Sequence, residues 1–170
     1  MSANFVQIAY LANDLEQKCA ALLEAFDIGP FIVARKLELT HHVYKGQPCE
    51  NFVVDAAFAQ SGDLNIEILQ MRSSGPNAIS DMFANGREGV HHAAYFCADI
   101  FAEKDKLTRL GYPPVSEFML GDINLCFSDT RALFGHMVEL YQDCAELREL
   151  YRRTRALRGQ WDGKTLFYDW

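Results

Sequence analysis

The sequence predicts an α+β fold built from two tandem βαβββ modules, and three observations predict it. The first is an echo. Read from His92, the chain has Ala94 at +2, Tyr95 at +3 and Asp99 at +7; read from Gln7, it has Ala9, Tyr10 and Asp14 at the same offsets. The second is context, since in both places an apolar strand-like stretch runs through an aspartate suited to capping a helix and into a helix-like segment. The third is that the elements following each copy come in the same order. The copies are offset by half of the 170-residue chain, so an internal repeat sets the architecture.

Each element has its own warrant. Phe5 to Leu11 alternates, with Phe5, Gln7, Ala9 and Leu11 on one face and Val6, Ile8 and Tyr10 on the other. Asn13 or Asp14 caps a helix whose Leu15, Cys19, Leu22, Leu23 and Phe26 recur at helical spacing, and Gly29-Pro30 stops it. Phe31 to Leu39 reads as a second strand, followed by a polar loop from His41 to Pro48. Phe52 to Ala59 and Leu64 to Gln70 form a hairpin about the Ser61-Gly62-Asp63 turn. A loop with a short helical piece near Ile79 to Phe83 precedes the second module. There His92 to Ala98 is a strand, Asp99 caps a helix ending at Gly111, and Val115 to Met119, Ile123 to Ser128 and His136 to Gln142 complete the set. An Arg-rich helix, Ala145 to Leu157, and an aromatic tail follow. The expectation is one domain over 1–170, with module one at about 4–71, module two at about 89–142 and the helix and tail at 144–170; no linker separates the halves.

Composition narrows the function. Hydrophobic residues make up 49% and charged residues 23%, which is enough to build a core without structural metal or disulfides. A net charge of −7 disfavours nucleic acid, whose phosphates need a basic surface. Five scattered cysteines with no C-x-x-C pair favour a reduced setting. With no signal-like start and no apolar run long enough for a bilayer, a cytoplasmic protein without membrane contact is expected.

The chemistry lies in four residues. Each first strand carries a ligand-type residue, Gln7 or His92, and each last strand carries a glutamate inside an apolar run: Glu67 in Leu64-Asn-Ile-Glu-Ile-Leu69 and Glu139 in His136-Met-Val-Glu-Leu140. A buried carboxylate is costly unless it is paired or bound to a cation. If a pseudo-twofold relates the modules, the two pairs converge, and Gln7, Glu67, His92 and Glu139 offer one nitrogen and three oxygen donors. That set suits one divalent ion per site of the Zn, Ni, Co, Mn or Fe type. The competing reading of the glutamates is an ion pair with Arg or Lys across the sheet. Elsewhere, His91 is expected on the face opposite His92, His136 on the face opposite Glu139, and His41 and His42 at the surface. Asp55 either lines a cavity or faces solvent, and the arginines of the last helix form a solvated face rather than a phosphate-binding patch.

These motifs resemble the vicinal oxygen chelate superfamily (glyoxalase, bleomycin resistance, dioxygenase), from about Phe5 to Gln142. The similarity is greatest to the glyoxalase-like group near methylmalonyl-CoA epimerase, through Ile28-Gly-Pro-Phe31, Ser61-Gly-Asp63, Gly89-Val-His-His92, Gly135-His136 and Trp161-Asp-Gly163. The epimerase-like members carry His at the first-strand position where this chain has Gln7; the Gln/Glu/His/Glu set resembles zinc-type glyoxalase I. The resemblance implies an open barrel-like sheet around a metal site, a homodimer, and a lyase or isomerase acting on a small carbonyl compound or thioester. It implies a Lewis-acid cation stabilising an enolate-like intermediate, with Glu67 or Glu139 moving the proton alpha to the carbonyl. Two alternatives stay open: a metal-free binding protein of the bleomycin-resistance type, and an extradiol-type dioxygenase. The dioxygenase would share only His92 and Glu139 of its two-His, one-Glu set.

Overall fold

The computed structural model describes residues 3–83 and 86–170. Module one runs β1 (Phe5–Leu11), α1 (Leu15–Phe26), β2 (Phe31–Tyr44), a two-residue β3 (Gln47–Pro48), β4 (Phe52–Ser61) and β5 (Leu64–Met71). A short α2 (Ala78–Met82) leads to module two: β6 (Gly89–Cys97), α3 (Ile100–Arg109), β7 (Pro114–Leu120), β8 (Ile123–Ser128), a one-turn α4 (Arg131–Phe134) and β9 (Met137–Gln142). The long α5 (Ala145–Gln160) and a short β10 (Phe167–Asp169) end the chain. Eight of the strands are the two βαβββ sets; β3 and β10 are additions that the sequence pattern did not reveal.

All the strands belong to one strongly curved sheet, with β1 and β6 antiparallel at its centre. In each module the last strand lies parallel beside the first: β5 beside β1, and β9 beside β6. The register is the same in both, with Glu67 opposite Ala9 and Glu139 opposite Ala94. The eight-residue echo is therefore a repeat in three dimensions. Its aspartates behave alike as well. Asp14 accepts from the Gln17 amide at 2.9 Å and Asp99 from the Ala102 amide at 3.0 Å, each satisfying an amide that the first helical turn leaves free. The far half of β2 pairs with β7, so the two edges of the barrel-like sheet meet at one end.

Apolar side chains divide between the two faces of the sheet. On the convex side, Ile66, Ile68, Ala57 and Ala59 pack with Leu15 and Cys19 of α1, while Val138, Leu140 and Cys126 pack with Ile100 of α3. On the concave side lie Ala9, Val54, Ala56, Phe58, Leu69, Phe127 and Tyr141. β5 and β9 are thus covered on both faces, which is why their glutamates sit in apolar runs. Burial pushes the thiols of Cys19, Cys97 and Cys126 up to about 12, so they act as small apolar side chains. No helix among the described residues is long and apolar enough to cross a membrane.

Two sequence expectations change here. β2 continues to Tyr44, so His41 and His42 lie on a strand rather than in a loop. His42 is buried, with its ring nitrogens 2.9 Å from the Glu50 carbonyl and 3.0 Å from the Ser116 hydroxyl. It is a core histidine satisfied across the β2–β7 junction, where local sequence gave no sign of a partner strand.

Candidate metal centre and its cavity

Ala9 lies on β1 between Glu67 of β5 and His92 of β6, and Ala94 lies opposite Glu139. Both alanines are fully buried. Small side chains at the centre of the concave face leave room into which the longer ones converge. His92 Nε2 is 2.9 Å from Glu139 Oε2 and 3.3 Å from Glu67 Oε2, and the three potential ligand atoms lie within 4.8 Å of one another. No Arg or Lys among the described residues pairs with either glutamate; the cation partner of the carboxylates is His92 itself.

The electrostatics follow from that enclosure. Burial opposes charge on His92, but Glu139 and then Glu67 outweigh it and raise the imidazole to about 9. Burial pushes the Glu67 carboxyl up, while His92 pulls the other way. Despite the short contacts, His92 Nε2 makes no hydrogen bond of acceptable geometry with either carboxylate. A buried nitrogen facing two carboxylates without a well-directed hydrogen bond fits a site built for a divalent ion, and so does the borderline nitrogen and oxygen donor set.

His91 contributes in a way that alternation hides. The β1–β6 register passes from Ala9 opposite His92 to Tyr10 opposite Val90, so His91 is an extra residue, a β-bulge. The bulge breaks the two-residue period, and His91 does not take the opposite, independent face expected of it. Its Nδ1 lies 2.8 Å from His92 Nδ1, and burial followed by His92 holds its pKa well below the usual range. A neutral His91 can accept the His92 Nδ1 proton, so that it is the Nε2 proton, the one facing the glutamates, that His92 gives up when it becomes neutral.

Gln7 is buried on the same face. Its Nε2 donates to Asn65 Oδ1 at 3.2 Å, and its Oε1 accepts from the Tyr141 hydroxyl. Asn65 Nδ2 donates in turn to Thr154 Oγ1 of α5 at 3.2 Å. The amide is thus held from both ends, and its carbonyl keeps a second lone pair. Of the other polar residues, Asp55 points away from the cavity. It is buried against Arg72 (2.6 Å) and Arg35 (3.2 Å), and accepts from the Lys36 amide at 2.7 Å. His136 stacks on Phe134 and bonds the Met137 carbonyl, away from the cluster.

Above the cluster is a cavity with about 60 Å³ of free space, room for a few waters or the reacting end of a small ligand. Its walls are apolar, with Leu39, Val54, Phe58, Phe118, Leu125 and Phe127 from the sheet. Leu147, Leu150 and Tyr151 of α5 and Trp170 of the tail complete the lining. The inner residues of α5 recur as Leu147, Leu150, Tyr151 and Thr154, a helical spacing present in the sequence beneath the more conspicuous arginines. Those arginines are mostly engaged: Arg148 with Asp143, Arg152 with Glu149 and Arg158 with Asp27.

Residues 6–127 match the family model of the glyoxalase/bleomycin resistance protein/dioxygenase superfamily, well over half of the chain. Among solved structures, a hypothetical protein from Bacillus halodurans C-125 is similar with TM-score 0.58 and 17% identity, over 85% of this chain and 96% of that one. Methylmalonyl-CoA epimerase from Mycobacterium tuberculosis is similar with TM-score 0.53 and 13% identity, over 85% and 91%. A variant of the Streptomyces coelicolor epimerase, in complex with 2-nitronate-propionyl-CoA, gives TM-score 0.53 and 16% identity over 85% and 100%. No curated protein matches the chain. At such identities these structures establish a shared fold, whereas the family model, together with the repeated βαβββ module, establishes descent: the chain belongs to the glyoxalase/bleomycin resistance protein/dioxygenase superfamily.

Proposed function

We propose that this protein is a metal-dependent lyase or isomerase of the glyoxalase/epimerase type, which moves a proton alpha to the carbonyl of a small carbonyl compound or thioester. The observation that carries the reading is the buried convergence of Glu67, His92 and Glu139, with the unbonded His92 Nε2 facing both carboxylates. His92 would hold the ion through Nε2, Glu67 and Glu139 through carboxylate oxygens, and Gln7 through the free lone pair of its carbonyl. When bound, the ion would act as a Lewis acid that polarises the substrate's carbonyl. Around it, the chain's own groups divide the work. His91 holds the His92 tautomer, Tyr141 and Asn65 hold the Gln7 amide, and the leucine and phenylalanine walls exclude water and take an apolar acyl group. Glu67 or Glu139 takes the alpha proton, and two carboxylates on opposite sides of His92 allow removal from one face and return on the other.

The apolar lining, without a lysine or arginine, favours a substrate whose reacting end is uncharged apart from its oxygens. Five of the similar epimerase structures are complexes with coenzyme A thioesters, 2-nitronate-propionyl-CoA or methylmalonyl-CoA. Here a thioester carrier would extend outside the cavity, and the paired arginines of α5 offer it little free charge.

Elemental analysis of protein purified without added metal or chelator tests the reading. About one Zn, Ni, Co, Mn or Fe per chain is expected, lost or much reduced in Gln7→Ala, Glu67→Gln, His92→Ala and Glu139→Gln. Metal retained in all four variants would sink the quartet. No metal, with no thermal stabilisation on adding divalent ions, would move the function to a small-molecule binding protein.

A further inference from the structure

Among the described residues, three buried side-chain polar atoms have no hydrogen-bond partner: His91 Nε2, His92 Nε2 and the Tyr151 hydroxyl. The histidines belong to the metal centre. Tyr151 does not; it comes from α5, beyond the residues that match the family model. Its ring is fixed by aromatic contacts with Phe96 (5.4 Å between centroids, 63°) and Tyr141 (6.4 Å, 74°), and it lines the cavity together with Glu67, His92 and Glu139. Tyr141 is close enough to influence Tyr151, but its own proton goes to Gln7 and no hydrogen-bond geometry joins the two hydroxyls. One turn further along α5, Thr154 accepts from Asn65 and lies 3.5 Å from Gln60 Oε1, which pins the inner face of the helix to the sheet. A buried phenol without a partner destabilises a fold unless something in the cavity takes its hydrogen bond.

We propose that Tyr151 contacts substrate: its hydroxyl donates a hydrogen bond to the substrate's carbonyl oxygen, so that a helix outside the two modules completes the site. The ligand chemistry this selects is an oxygen that gains negative charge as the alpha proton leaves, held by a neutral donor opposite the carboxylates. Burial, opposed by the neighbouring Tyr141 hydroxyl and reinforced by Glu67 and Glu139, holds the phenol well above its ordinary pKa, so it remains a donor throughout the neutral range. The inference rests on the proposed function, because it takes the cavity above the metal centre to be the place of reaction.

Binding of acetohydroxamic acid, a small ligand that chelates zinc through two oxygens as its anion, tests it on the zinc-loaded full chain by titration calorimetry, comparing the wild type with Tyr151→Phe. Phenylalanine keeps the ring and its packing. Zinc content and zinc affinity are expected to stay as in the wild type, the thermal midpoint to hold or rise, and hydroxamate affinity to fall about tenfold, the scale of one hydrogen bond to a charged group. Equal hydroxamate affinity in the two proteins would overturn the role of Tyr151 while leaving the metal reading intact. Loss of zinc or of folding in Tyr151→Phe would overturn it in favour of a structural role. A wild type that takes up neither zinc nor hydroxamate would overturn both, and the zinc titration separates that outcome from the others.

Discussion

His92 shows how the sheet turns an ordinary side chain into a candidate ligand. With Glu139 and Glu67 beside it, the imidazole of the metal-free site holds its proton up to about 9. Its folded pKa lies above the unfolded value of about 6.5, so this contribution to stability is complete below about pH 6.5 and is lost as pH rises through about 9. A metal ion needs the neutral imidazole and must expel that proton. Zinc binding at about pH 7.5 is therefore expected to release about one proton, and the number should fall toward zero above about pH 9. Calorimetry in buffers of different ionisation enthalpy measures it, and zinc uptake without proton release near neutrality would show that Nε2 is not the ligand atom. His91 belongs at this scale too. Alternation assigns it to the wrong side because a bulge is a property of a strand pair and leaves no mark in one strand's sequence.

At the scale of elements, each module is a strand that carries a candidate ligand and a capped helix that covers the back of the sheet. Asp14 and Asp99 have nearly identical extended geometry and each caps through the third amide onward. Asp99→Ala is expected to cost about 1 kcal/mol of stability, within the range of about 0.5–2 kcal/mol for lost N-caps. It should leave metal content unchanged, because α3 lies on the convex side away from the cavity. Urea unfolding and elemental analysis of the variant check both parts. A variant that unfolds at the wild-type midpoint would mean that the second cap is ornamental. The caps, the strand periods and the repeat were all legible in the sequence, since each is local to fewer than a dozen residues. The role of α5 was not. Its arginines dominate the pattern, while the stripe that closes the cavity has two leucines, a tyrosine and a threonine.

For the whole molecule, the candidate metal centre joins strands from both modules, with β5 and β1 on one side and β6 and β9 on the other. An ion bound there favours the folded chain over the unfolded one by mass action, about 2.7 kcal/mol at a free concentration a hundredfold above Kd. Chelator treatment is thus expected to lower the thermal midpoint, and re-addition of zinc to restore it in a concentration-dependent manner. In His92→Ala the midpoint should no longer respond to either. A wild-type midpoint indifferent to chelator and to zinc would count against the metal centre as a structural tie between the modules.

The sequence by itself determined the two βαβββ modules and marked Gln7, Glu67, His92 and Glu139 as candidate ligands, because period, caps and repeat are written along the chain. It also marked Glu67 and Glu139 as residues in need of a cation, because a carboxylate in an apolar run is costly wherever it folds. Tertiary structure alone decided which side chain meets them. It put His92 between the glutamates, buried His42 against Ser116, turned Asp55 outward to two arginines and laid Tyr151 over the cavity. Each of those placements depends on which strands become neighbours and on how the sheet curves, and that information lies in contacts between residues dozens of positions apart.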